Sequence, residues 1–249
     1  MMLAIAALAL LAQAPPDTLY REGVAALEAG RVADAAPLLE KAANTAKTNA
    51  QYWKAYGVAV ASLNQYAAAV EPFEHACRLE PRLPDACYYL GRALYAADRY
   101  EAALAPLRQS LETDLDKGRA ETAIAQALEA LGREDEAARL YQSAISRKYQ
   151  PARVAYGRFL LRAGKIEDAM SMLEGAEHPE GLLEYARALM QAGRNEAAAA
   201  KLETLIAKTP RDRVARLLLA KAYRRLGRNA DAVRQEEAAK ALQGSSTER

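Results

Sequence analysis

The chain has 249 residues, 51% of them apolar and 27% charged, with a net charge of +2. That balance excludes a disordered polyelectrolyte, which would carry fewer apolar residues and more net charge. Ala supplies 59 positions and Phe only two. The abundance of Ala, Leu, Glu, Arg, Lys and Gln predicts a chain that is nearly all helix, because these side chains lose little freedom there. No run of alternating β-branched residues and no Asn-Gly hairpin signal argues for a strand.

The chain opens MMLAIAALALLAQAPPD. Leu3 to Ala12 is an uninterrupted apolar run, too short for a transmembrane helix of about 20 residues and of the length of a secretory core segment. Ala12-Gln13-Ala14 has the small-x-small form of a cleavage site, with a cut after Ala12 as the alternative to one after Ala14. Residues 1–14 are thus expected to be a signal peptide, placing the mature protein in the periplasm or outside the cell. If the run is instead a first helix, broken off by Pro15 and Pro16, the location is cytoplasmic.

From Pro16 onward a period of 34 residues organises the sequence. Units start near residues 16, 50, 84 and 118, and three more fit near 150, 179 and 213. The eighth position reads Gly23, Gly57, Gly91, Ala125, Gly157, Ala186, Ala220, and the twentieth is Ala throughout: Ala35, Ala69, Ala103, Ala137, Ala169, Ala198, Ala232. The fifteenth is Gly30, Asn64, Asp98, Gly132, Gly164, Gly193, Gly227, residues that tolerate a left-handed helix end. In the unit from Ala50, Trp53 is fourth, Tyr56 seventh, Phe73 twenty-fourth, Ala76 twenty-seventh and Pro81 thirty-second. Small residues mark where two antiparallel helices touch, and larger ones fill the space where they splay.

These columns resemble the tetratricopeptide repeat (TPR) family. The resemblance covers residues 16–243 and implies an all-α, right-handed superhelical solenoid of about seven helix-turn-helix repeats. The fifth unit is cut short after Leu173 and predicts a clipped second helix. Glu236, where other units carry Leu, Tyr or Phe, suits a terminal cap. Residues 244–249 are expected to be a disordered tail.

Charge is uneven: −3 over residues 1–117 and +5 over residues 118–249. In TPR proteins, positions 2, 5, 9, 12 and 13 of each first helix face a ligand in a concave groove. Here the ninth position reads Val24, Val58, Arg92, Gln126, Arg158, Arg187, Lys221, with Tyr88 and Tyr95 beside Arg92. Arg162, Arg224 and Arg225 extend the basic character. Tyr88, Arg92, Tyr95, Arg158, Arg187 and Lys221 are therefore the candidate partner-binding residues, expected to take an acidic or carboxylate-bearing peptide. The alternative is a soluble groove lining with no ligand. No Lys at position 5 is paired with Asn at position 9, so binding of chaperone C-terminal tails is not expected.

Neither a zinc-type ligand cluster nor a phosphate loop nor a nucleophile with an evident base occurs, so no enzyme activity, metal or cofactor is expected. Cys77 and Cys87 flank the turn EPRLPD and are either a disulfide, as export would favour, or two small buried hydrophobes. The function expected is a protein-protein interaction scaffold in the cell envelope. The alternative is a polyanion- or nucleic-acid-binding solenoid using the basic C-terminal units, against which export argues.

Overall fold

A computed structural model describes residues 14–113 and 116–244. The expected leader, apart from Ala14, and the tail beyond Gly244 lie outside the described residues. Among the described residues there are fourteen helices and no strand. They are α1 (Pro16–Glu28), α2 (Val32–Thr45), α3 (Ala50–Ser62), α4 (Tyr66–Leu79), α5 (Ala86–Ala96), α6 (Tyr100–Thr113), α7 (Lys117–Ala130), α8 (Glu134–Ser146), α9 (Gln150–Arg162), α10 (Ile166–Leu173), α11 (Pro179–Gln191), α12 (Asn195–Lys208), α13 (Arg213–Arg225) and α14 (Asn229–Gly244).

Local chemistry sets the boundaries. Asn49 Oδ1 accepts from the Gln51 and Tyr52 amides at 3.0 and 3.4 Å, and Asp212 Oδ1 accepts from Ala215 N at 2.9 Å, capping α3 and α13. Pro16, Pro151 and Pro179 occupy first-turn positions of α1, α9 and α11, where the missing N–H has no intrahelical partner to lose. The fifteenth-position residue of every unit has positive φ, from Asp98 at 58° to Gly193 at 75°. The third helix pair starts at Ala86, two residues after the unit boundary expected at Pro84, because Asp85 is itself left-handed (φ 66°) and cannot continue a helix backwards.

The chain divides into two compact units within α8, between Leu140 and Tyr141. In the first, successive helices from α1 to α7 pack on one another, and α1 also meets α3 as α5 meets α7. In the second, α9 to α14 pack in chain order, and α9 meets α11 as α11 meets α13. Each unit is thus a helical solenoid in which first helices form one layer and second helices the other.

The core follows the repeat. All seven twentieth-position alanines are fully buried, and every eighth-position Gly or Ala is buried. A Cβ built on Gly57 would lie 2.7 Å from the Phe73 ring, and one on Gly157 would lie 2.6 Å from Leu173 Cγ. The eighth residue is small because a large side chain of the second helix lies flat against the backbone of the first. Trp53 is buried, donates from Nε1 to the Lys47 carbonyl at 2.9 Å, and stacks on His75 at 4.4 Å. Helix α10 has 8 residues where the other second helices have 13 to 16. It ends where Glu174 turns extended and Gly175 turns left-handed (φ 76°).

Candidate functional site

The layer α9, α11, α13 of the second unit lines an open pocket of about 410 Å³. Its ninth-position residues, one per helix, all line it: Arg158, Arg187 and Lys221. Arg162 and Arg225 lie one helical turn beyond Arg158 and Lys221 on the same faces and also line it. Leu161, Met190 and Leu218 supply apolar wall between these cations. Arg224, the remaining basic residue expected to contribute, turns instead to Glu236 at 2.7 Å.

One carboxylate organises the basic cluster. Glu184, with 5% of its side chain exposed, pairs through Oε1 with Arg187 Nη1 at 2.9 Å and with Arg158 Nε at 3.3 Å. Arg158 also reaches Glu180 through Nη2 at 2.5 Å. A buried carboxylate needs such partners, because its desolvation is otherwise too costly. Glu184 therefore bridges two guanidinium groups from neighbouring helix pairs, and they remain 37% and 39% exposed. Arg225 donates to the Met190 carbonyl at 2.6 Å, tying α13 to α11. Lys221 is exposed. The pocket thus offers five cations against the one carboxylate in its wall, with part of the positive charge still turned to solvent.

The first unit holds the other three sequence-predicted residues in a separate cluster. Arg92 Nη1 donates to Gln126 Oε1 at 2.6 Å, joining the ninth positions of adjacent repeats, and its guanidinium lies 5.6 Å from the Tyr95 ring centre. The Arg119 guanidinium covers Tyr88 at 4.1 Å and pairs with Asp85. Each tyrosine here is faced by a cation of the same unit, a geometry that orders both partners.

Cys77 on α4 and Cys87 on α5 lie with Cα atoms 4.8 Å apart, within disulfide range. A second cavity in the second unit, about 430 Å³, opens where α10 stops short, beside Val154, Met172, Ala176 and Gly181. Among the described residues no group of His, Cys, Asp and Glu has the geometry to hold a metal ion, and no helix is long and apolar enough to cross a membrane.

Sequence reasoning found the ninth-position cations because they recur with the period. It missed Glu184, one acid among many on helix surfaces, whose burial depends on packing between α9 and α11.

The tetratricopeptide repeat profile matches residues 20–84, 88–152 and 183–246. Among curated proteins none matches. Solved structures share the fold at low identity. The type IV pilus biogenesis factor PilW is 17% identical with a TM-score of 0.69, over 82% of this chain and 98% of that one. A tetratricopeptide repeat protein from Parabacteroides merdae is 17% identical with a TM-score of 0.68, over 83% and 84%. The human IFIT1 dimer, solved with PPP-AAAA, is 19% identical with a TM-score of 0.58; 87% of this chain aligns with 58% of that one. The chain therefore spans less than two thirds of IFIT1. These likenesses concern the fold.

Proposed function

The chain belongs to the tetratricopeptide repeat family, whose members are generally protein-protein interaction scaffolds, and we propose that it captures an acidic segment of a partner protein in the pocket formed by α9, α11 and α13. The observation that carries this reading is the convergence of Arg158, Arg162, Arg187, Lys221 and Arg225 on one pocket. Charge-assisted hydrogen bonds to Arg are among the stronger polar contacts available, about 1.5–3 kcal/mol each. The role proposed is one of binding, since the pocket presents five cations and apolar wall around the paired carboxylate of Glu184.

The apolar Leu3–Ala12 run supports a setting in the cell envelope. PilW is a type IV pilus biogenesis factor, and an accessory role in an envelope assembly is the corresponding reading here.

A second reading has a specific observation behind it. The same five cations would suit a polyanion, and IFIT1, with its related fold, was solved with PPP-AAAA.

The test is a fluorescence-anisotropy titration with labelled hexaglutamate and, in parallel, a single-stranded oligonucleotide. Hexaglutamate is expected to bind, and Arg187→Gln with Lys221→Gln to weaken it about tenfold or more. Neutral substitutions are needed because reversing Arg158 and Arg187 would surround buried Glu184 with acids and unfold the site. Tighter, steeply salt-dependent binding of the oligonucleotide would establish the second reading instead.

A further inference from the structure

The fifth repeat is shorter than the rest, and the shortening leaves its core open. Units five and six start 29 residues apart instead of 34, and five missing residues remove about 8 Å of helix. Helix α10 accordingly stops at Leu173, and the chain reaches α11 through residues 174–178. The cavity of about 430 Å³ lies in this gap, between the end of α10, the connection and the first turns of α9 and α11. One column of the repeat shows what is missing. Its twenty-seventh position is Ala42, Ala76, Ser110, Ala144, Leu205 and Ala239 in the six other units, none of them more than 1% exposed. The counterpart in unit five, Ala176, is only half-buried and stands in the cavity wall. Met172 and the buried Leu173 line the same space. Gly181 closes it from α11, where a Cβ would lie 2.8 Å from Ala176 Cβ.

The charged groups around this apolar space are unbalanced. Three carboxylates, Glu174, Glu177 and Glu180, line it against one guanidinium, Arg153. Arg153 is already committed, donating from Nε and Nη2 to the Met172 carbonyl at 3.3 and 3.0 Å. Glu180 pairs with Arg158 at 2.5 Å. Lys208 Nζ reaches the connection at the Glu177 carbonyl, at 2.8 Å, and not at the side chain. The carboxylates of Glu174 and Glu177 are exposed and make no hydrogen bond or ion pair among the described residues. A largely apolar cavity of this size with a few convergent polar groups has the ordinary form of a small-molecule site. We propose that the cavity left by the shortened α10 binds a small organic cation, its apolar body against Met172, Leu173 and Ala176 and its ammonium group between Glu174 and Glu177. An anion would meet two uncompensated carboxylates, and a neutral molecule would gain nothing from them. The site takes the opposite charge to the basic pocket and does not rest on the reading of that pocket.

Three probes with one apolar body and different charge decide the matter: 4-phenylbutylammonium, 4-phenylbutanol and 4-phenylbutyrate. Calorimetric titration of each against the full chain at low salt is expected to rank them in that order. The ammonium should bind at least about fivefold tighter than the alcohol, as two exposed ion pairs allow, and added salt should narrow the difference. Glu174→Gln with Glu177→Gln should bring ammonium and alcohol to the same affinity. Both side chains are exposed, so this variant should melt like the parent. Ala176→Leu should fill the cavity, abolish binding of all three probes and leave the melting temperature at or above that of the parent. Equal affinity for ammonium and alcohol on the parent chain, or a preference for the butyrate, would overturn the proposal. So would the absence of any binding, or binding that survives Ala176→Leu in a folded chain. Each of these results leaves the basic pocket untouched, because hexaglutamate is titrated separately.

Discussion

Gly91→Ala tests the packing rule of the repeat most sharply when paired with Leu107→Ala. A Cβ on Gly91 would lie 2.4 Å from Leu107 Cγ, 2.6 Å from Cδ2 and 3.2 Å from the Ala103 carbonyl oxygen. Cγ is a branch point, not a free end, and Leu107 and Ala103 are both fully buried. Neither can give way without moving α5 off α6. Overpacking of this kind costs about 1–3 kcal/mol. Replacing Gly by Ala inside a helix returns about 1 kcal/mol. With so close an overlap, Gly91→Ala alone should destabilise by about 1–2 kcal/mol, in the upper part of the resulting range. Leu107→Ala alone should cost about 2–5 kcal/mol. In that background the Leu107 contacts are gone and only the 3.2 Å approach to the Ala103 carbonyl oxygen remains, so adding Gly91→Ala should stabilise by less than the full helix-propensity gain of about 1 kcal/mol. The signature is a change of sign. Urea unfolding followed by circular dichroism, with the midpoint read at constant slope, measures all four corners of the cycle. Destabilisation by Gly91→Ala of the same size in both backgrounds would refute the close-approach explanation of the eighth position.

Trp53→Ala should lower stability by about 3–5 kcal/mol, losing ring burial and the Nε1 bond to Lys47, while leaving hexaglutamate binding unchanged in a titration run well below the melting point. The Tyr223 hydroxyl is pushed up to about 12, chiefly by burial and then by its hydrogen bond to Glu203. Its folded pKa lies above the unfolded one, so its contribution to stability is full below about pH 10 and lost as pH rises toward 12. Tyr52, Tyr56 and Tyr100 are also raised, so absorbance titration at alkaline pH should show several late tyrosines, and Tyr223→Phe should remove one equivalent from the component that titrates toward pH 12. A count of free thiols on denatured, unreduced protein should give none, since Cys77 and Cys87 are expected to be bonded. Reduction should then lower stability by roughly 2–3 kcal/mol, as for a short closed loop.

The fold was legible because the repeat is a steric requirement written in residue size. Gly57, Ala69 and Asn64 are each demanded by a backbone contact or a left-handed turn, and the demand returns every repeat. The ninth-position cations were legible for the same reason, since period and helix geometry place Arg158, Arg187 and Lys221 on one layer. Glu184 was not, because its burial depends on how two neighbouring helix pairs approach, and its spacing matches that of solvated acids elsewhere. Arg119 was missed likewise: its contact with Tyr88 crosses between repeats. Pro37, Pro72 and Pro106 lie inside α2, α4 and α6, where the repeat pattern and not local propensity carries the helix.

On the reading proposed, an acidic partner segment is held by the layer α9, α11, α13 and not by the second-helix layer. Gln191 lines the pocket, whereas Thr204 is exposed on α12, which contributes no residue to it. Installing a photo-crosslinking benzophenone amino acid at each position in turn, then irradiating with labelled hexaglutamate, reads the location directly. Strong crosslinking is expected from position 191 and little from position 204. Equal yields, or a yield confined to position 204, would contradict that reading.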